Sequence, residues 1–69
     1  MIPSPIPLTD REKNVLQGAA DGEKCIDTAE RLGLSVGRIK THRFSLAAKL
    51  GADNITQAVA MGLRRGLIQ

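Results

Sequence analysis

Apolar residues recur at helical spacing in four separate runs along this chain. In the first run, Val15, Leu16, Ala19 and Ala20 form one stripe. Ahead of it stands Thr9-Asp10-Arg11-Glu12, a capping box. The Thr9 hydroxyl can accept from the Glu12 amide while the Glu12 carboxylate returns the bond. Leu8 is placed to pack back on this helix as a hydrophobic staple, and Gly22 to end it in a left-handed turn. The second run, Cys25, Thr28, Ala29 and Leu32, predicts a helix over about Lys24 to Leu32, stopped by Gly33. Gly33-Leu34-Ser35 then makes a short turn. Ser35 is a good N-cap for a third helix from Val36 to Leu50, with Gly51 as its stop. At about 100° per residue, Val36, Ile39, Leu46 and Leu50 gather on one side of that helix. Gly37, Arg38, Thr41, Phe44, Ser45 and Ala48 lie opposite, with Lys40 at the edge. A fourth helix follows Asn54, with Gln57 in the return capping position. Its stripe is Ile55, Ala58, Val59, Gly62 and Leu63, and Leu67 and Ile68 form a short apolar tail.

Four short helices with no strand pattern predict an all-α fold. Helices 2 and 3, joined by a turn of about three residues, have the dimensions of a helix-turn-helix. The chain's 69 residues suffice for one small domain, expected over residues 8–69. Residues 1–7 alternate prolines with no helical period and read as an extended arm. Phe44 is the one aromatic residue, so the core must be aliphatic. A lone Cys25 cannot form an internal disulfide, and Cys25 with His42 is too small a set for zinc, so neither metal nor cofactor is expected. There is no nucleophile with a base, no paired carboxylates and no phosphate loop, which argues against an enzyme. No stretch resembles a signal peptide or a membrane span, so a cytoplasmic protein is expected.

Charge sharpens this picture. Residues 1–30 carry three Lys/Arg against six Asp/Glu, whereas residues 31–69 carry seven against Asp53 alone. From Arg31 to Ala52 there are five cations and no acid. Such one-sidedness points to a polyanionic partner or to a solvated basic face.

Leu8-Thr9-Asp10-Arg11-Glu12, Val15-Leu16, Gly22, Ala29 and Leu32-Gly33-Leu34-Ser35 together resemble the LuxR-type (GerE/NarL/FixJ) DNA-binding domain. Ile39-Lys40-Thr41-His42-Arg43, Lys49-Leu50-Gly51, Gln57-Ala58-Val59 and Gly66-Leu67-Ile68 continue the match in order and spacing. The resemblance implies a four-helix, winged-helix-like domain without a wing. In it the third helix reads the major groove of double-stranded DNA and the fourth pairs two copies into a homodimer. It implies a transcriptional regulator of stand-alone form, with RNA polymerase or another LuxR-type regulator as further candidate partners. An anti-activator that pairs with a full-length regulator through helix 4 is the alternative. Four positions depart from the family pattern. Ile26 stands where a phosphate-binding Lys is common, Thr28 where Ile is buried, Arg38 where Thr is usual and Phe44 where polar or basic residues are common.

Lys40 and Thr41, on the outward side of the first half of helix 3, are the leading candidates for base contact. Lys donates to guanine O6 and N7, and the Thr methyl can meet a thymine methyl. The guanidinium fork of Arg38 suits a guanine or a phosphate, and the resemblance favours phosphate. Phe44 either covers a thymine methyl or folds against Lys40 one turn away. By resemblance His42 approaches a phosphate. Lys49 is expected to complement the helix dipole or touch the DNA backbone. Ser35 and Thr9 are caps first, and their helix starts can also present amides to phosphates. Arg43 is expected to pair with an acid such as Glu12. Ile55, Val59 and Leu63 are the expected dimer contacts.

Overall fold

Three of the four helices begin where a polar side chain takes up a free amide of the first turn. The computed structural model describes residues 8–69, so the arm expected over residues 1–7 lies outside the described residues. Helix α1 spans Asp10–Ala20, α2 Cys25–Leu32, α3 Val36–Leu50 and α4 Ile55–Arg64. The capping box of α1 forms as expected, with the Glu12 amide donating to Thr9 Oγ1 at 3.1 Å and the Thr9 amide to Glu12 Oε1 at 2.9 Å. Ser35 Oγ accepts from the Arg38 amide at 3.1 Å, and Asn54 Oδ1 from the Gln57 amide at 2.8 Å. The Gln57 side chain returns its bond to the Asp53 amide, one residue before the cap. The start of α2 has no side-chain acceptor at Lys24; Asp27 instead accepts from the Lys24 amide at 2.9 Å.

The turn between α2 and α3 needs a left-handed residue, and Gly33 supplies it at φ 68°. The Leu34 amide then reaches back to the Ala29 carbonyl at 2.9 Å, closing α2 and aiming the chain at the Ser35 cap.

Helix α3 is the central element. It packs on α1, α2 and α4, and α4 also packs on α1. Val15, Leu16, Ile39, Leu46 and Ala58 are fully enclosed, with Leu8, Ala29, Leu50 and Ile68 around them. The α4 stripe divides: Ala58 and Gly62 are buried, Ile55 and Val59 half-buried, and Leu63 exposed. Gly62 lets α4 lie close to α1. A Cβ there would stand 2.8 Å from Leu16 Cδ2 and 3.2 Å from Ile68 Cγ1. Ile68, in the short apolar tail, closes the core. Its segment is held by a paired bond in which the Gln69 amide donates to Gln17 Oε1 and Gln17 Nε2 donates to the Gln69 carbonyl.

Two polar clusters tie the helices together. Glu12 is buried and accepts from Lys49 Nζ at 2.8 Å and Ser45 Oγ at 3.1 Å as well as from Thr9. Burial pushes its carboxyl up, but the bonds from Lys49, Thr9 and Ser45 outweigh that and lower its pKa from 4.5 to about 2. Glu23 accepts from Arg31 at 2.8 and 2.9 Å and from the Thr28 hydroxyl at 2.8 Å. The Arg31 guanidinium beside Glu23 holds that carboxyl below its ordinary value.

These clusters correct two expectations. Glu12 pairs with Lys49, not Arg43. The two cations lie about 120° apart around α3, so they meet different neighbours. Arg43 reaches the α1–α2 connection, where it donates to the Glu23 carbonyl at 2.9 Å. Ser45 turns toward α1 rather than outward. The Thr28 hydroxyl lies 2.8 Å from Glu23 Oε1 and 3.3 Å from the Lys24 carbonyl, so this buried position is satisfied by both.

Candidate nucleic-acid interface

The side of α3 opposite Ile39, Leu46 and Leu50 touches no other helix. Gly37, Arg38, Lys40, Thr41, Phe44 and Ala48 are all exposed along it. Phe44 reaches 79% exposure, the largest of any bulky apolar residue described. The Thr41 hydroxyl donates back to the Gly37 carbonyl at 3.0 Å.

Tertiary contacts sort the five cations of Arg31 to Ala52. Arg31 is bound by Glu23 and Asn14, Arg43 by the Glu23 carbonyl, and Lys49 by Glu12. Among the described residues, Arg38 and Lys40 hold no ion pair. These two stand on either flank of the outward face.

The residues expected at phosphates occupy different settings. Ser35 is exposed at the start of α3, its oxygen already accepting from Arg38. Thr9 is exposed at the start of α1, on a different helix. His42 is half-buried, with Nε2 enclosed by protein and unpartnered among the described residues, so a phosphate contact would have to use Nδ1. Lys49, expected at the DNA backbone or the helix end, is held at 2.8 Å by a buried carboxylate. On α2, Ile26 is 54% exposed, and Cys25 packs against the core. The expected dimer strip on α4 presents Leu63 at 48% exposure, flanked by half-buried Ile55 and Val59.

Sequence reasoning missed the positioning role of the Glu23–Arg31–Thr28 cluster. Glu23 and Arg31 are eight residues apart on different elements. No helical period couples them; the α1–α2 connection carries Glu23 back over the side of α2, where Thr28 and Arg31 meet it. For Glu12, the capping box signalled the Thr9 bond but not the inward turn of Lys49 and Ser45.

Among the described residues, no helix is long and apolar enough to cross a membrane, and no group of three or more His, Cys, Asp or Glu could hold a metal ion.

The geometry agrees with that of known proteins. The solved structure of the transcription factor GerE superposes with a TM-score of 0.86 at 27% identity, covering 90% of this chain and 92% of that one. The Vibrio cholerae VqmA dimer, described as a LuxR-type receptor, superposes with a TM-score of 0.87 at 28% identity over 94% of this chain. Only 30% of VqmA is covered. The Bacillus subtilis transcriptional regulatory protein YxjL is 41% identical over 63 residues, which is 91% of this chain and 29% of YxjL. The chain thus spans under a third of the length of that curated relative. The family model for bacterial regulatory proteins of the luxR family matches residues 6–62. The chain therefore belongs to the luxR family of bacterial regulatory proteins, whose helix-turn-helix domain serves DNA-binding transcription regulation.

Proposed function

We propose that this chain is a sequence-specific regulator of transcription that lays α3 in the major groove of double-stranded DNA. One observation carries the reading: Arg38 and Lys40, the cations of α3 that no acid or carbonyl engages among the described residues, flank the exposed face of the helix. An α-helix is about 10–12 Å across with its side chains, and the B-DNA major groove is about 12 Å wide, so the helix fits with its flanks toward the phosphates. Lys40 reaches guanine O6 and N7 from one side of the face, with Thr41 beside it. Arg38 grips a phosphate, supported by the start of α3 at Ser35. Thr9 and His42 Nδ1 are secondary backbone contacts. Lys49 adds less, because Glu12 already matches its charge.

A single short helix in one groove binds weakly, and pairing multiplies the contact. Leu63, with the exposed edges of Ile55 and Val59, forms the proposed homodimer strip, so the target is a pseudo-palindrome. The protein acts where the chromosome is, in the cytoplasm.

Selection of bound duplexes from a random-sequence pool tests this. Enrichment of a two-fold symmetric site, with affinity falling steeply as salt rises, is the expected result. A folded sample that retains no duplex even at low salt would overturn it.

A further inference from the structure

We infer that the centre of the outward α3 face is a reader of pyrimidine C5-methyl groups, with the Phe44 ring as its principal contact; this rests on the DNA-binding reading above. At about 100° per residue, Gly37, Ala48, Thr41 and Phe44 fall within an arc of about 60°. Arg38 lies about 90° from the middle of that arc on one side and Lys40 about 70° on the other. The strip offers no outward donor of its own. Gly37 has no side chain, Ala48 ends in a methyl, Phe44 is a bare ring, and the Thr41 hydroxyl hydrogen is spent on the Gly37 carbonyl at 3.0 Å. Two cationic flanks with an apolar middle complement two phosphate walls with something apolar between them.

In the floor of the major groove the thymine C5-methyl is the one apolar group on the base edges. Pressing a ring that is 79% exposed against the polar edge of guanine, adenine or cytosine would strip those groups of water and return no hydrogen bond. Against a C5-methyl the same burial is favourable. The occupant of the strip is therefore a step carrying thymine beneath Phe44. A 5-methylcytosine offers the same methyl, and nothing polar on the strip discriminates against it.

The test uses the full chain and a duplex recovered from the random pool. Each thymine is replaced in turn by uracil, which deletes the methyl and keeps every base-pairing atom. At one position per half-site, uracil should weaken wild-type binding about fourfold, the effect of leaving one CH2-sized group unburied. The Phe44→Ala variant should bind the thymine duplex more weakly and make no distinction between thymine and uracil there. Phe44→Leu should keep part of the distinction, and 5-methylcytosine should outbind cytosine at that position for wild type alone. Phe44 is exposed, so these variants keep the fold, and far-UV circular dichroism checks that. Equal binding of thymine and uracil duplexes by wild type overturns the inference and leaves DNA binding standing. So does full discrimination by Phe44→Ala. If Phe44→Ala binds the thymine duplex as well as wild type does, the ring is not on DNA and serves a protein contact. Retention of no duplex at low salt overturns both readings.

Discussion

Replacing Glu12 by Gln removes one negative charge from the interior and keeps the shape of the side chain. The Gln carbonyl can still accept from the Thr9 amide, and its amide can donate to Ser45 Oγ. What is lost is the charge facing Lys49 Nζ at 2.8 Å. The folded-state pKa of about 2, against an ordinary value of 4.5, sets the scale. At 1.36 kcal/mol for each unit of pH, that gap amounts to about 3 kcal/mol. The Lys49 side chain is 35% exposed, and solvent screening brings the figure to about 2 kcal/mol. The carboxyl is held low in the folded state, so its contribution is complete above about pH 4.5 and disappears as pH falls through about 2. A domain this small has only a few kcal/mol in total, so the substitution removes a large share. The chain has no Trp or Tyr, so urea unfolding is best followed by far-UV circular dichroism. With a slope near 1 kcal/mol per molar urea, the Glu12→Gln midpoint should fall by about 2 M at pH 7. The two proteins should converge near pH 2, and the variant should show the flatter acid profile. Glu23, also held low, supplies part of the remaining slope. A variant with the wild-type midpoint at pH 7, or a gap undiminished at pH 2, would refute the role given to this carboxylate.

Three further outcomes follow from the structure. Gly62→Ala should cost about 1–2 kcal/mol, because the new Cβ meets enclosed Leu16 at 2.8 Å and overpacking outweighs the helix-propensity gain. Gly37→Ala, whose Cβ would meet nothing nearer than Ser35 Oγ at 3.9 Å, should instead stabilise by about 0.5 kcal/mol; thermal melts of the two variants should move in opposite directions. Arg38→Ala should lower the slope of log affinity against log salt by about 1 with site preference intact, whereas Lys40→Ala should cost about 1–3 kcal/mol of discrimination between sites; titrations over a salt series separate the two. Leu63→Glu should shift a monomer–dimer equilibrium toward monomer in sedimentation, since Leu63 is 48% exposed and its replacement spares the core; an unchanged distribution would remove α4 from the interface.

Local sequence determined the helices. Caps at Thr9, Ser35 and Asn54, the left-handed stop at Gly33 and apolar spacing at three to four residues act within one or two turns, so reading along the chain found all four elements. The outward placement of Arg38, Lys40, Thr41 and Phe44 followed from the same period, because one helix face had to hold Ile39, Leu46 and Leu50. Which cation is already paired was a different matter. Arg31, Arg43 and Lys49 look equivalent to Arg38 and Lys40 in a list of charges, yet each is taken up by a group distant in sequence or on another element. The division of the α4 stripe, with Gly62 buried under Leu16 and Ile68 while Leu63 stays in solvent, likewise depended on how α1 and the final residues pack. Such pairings depend on the angles between helices, which no spacing along the chain encodes. Tertiary structure alone decided which charges of the third helix remain for a partner.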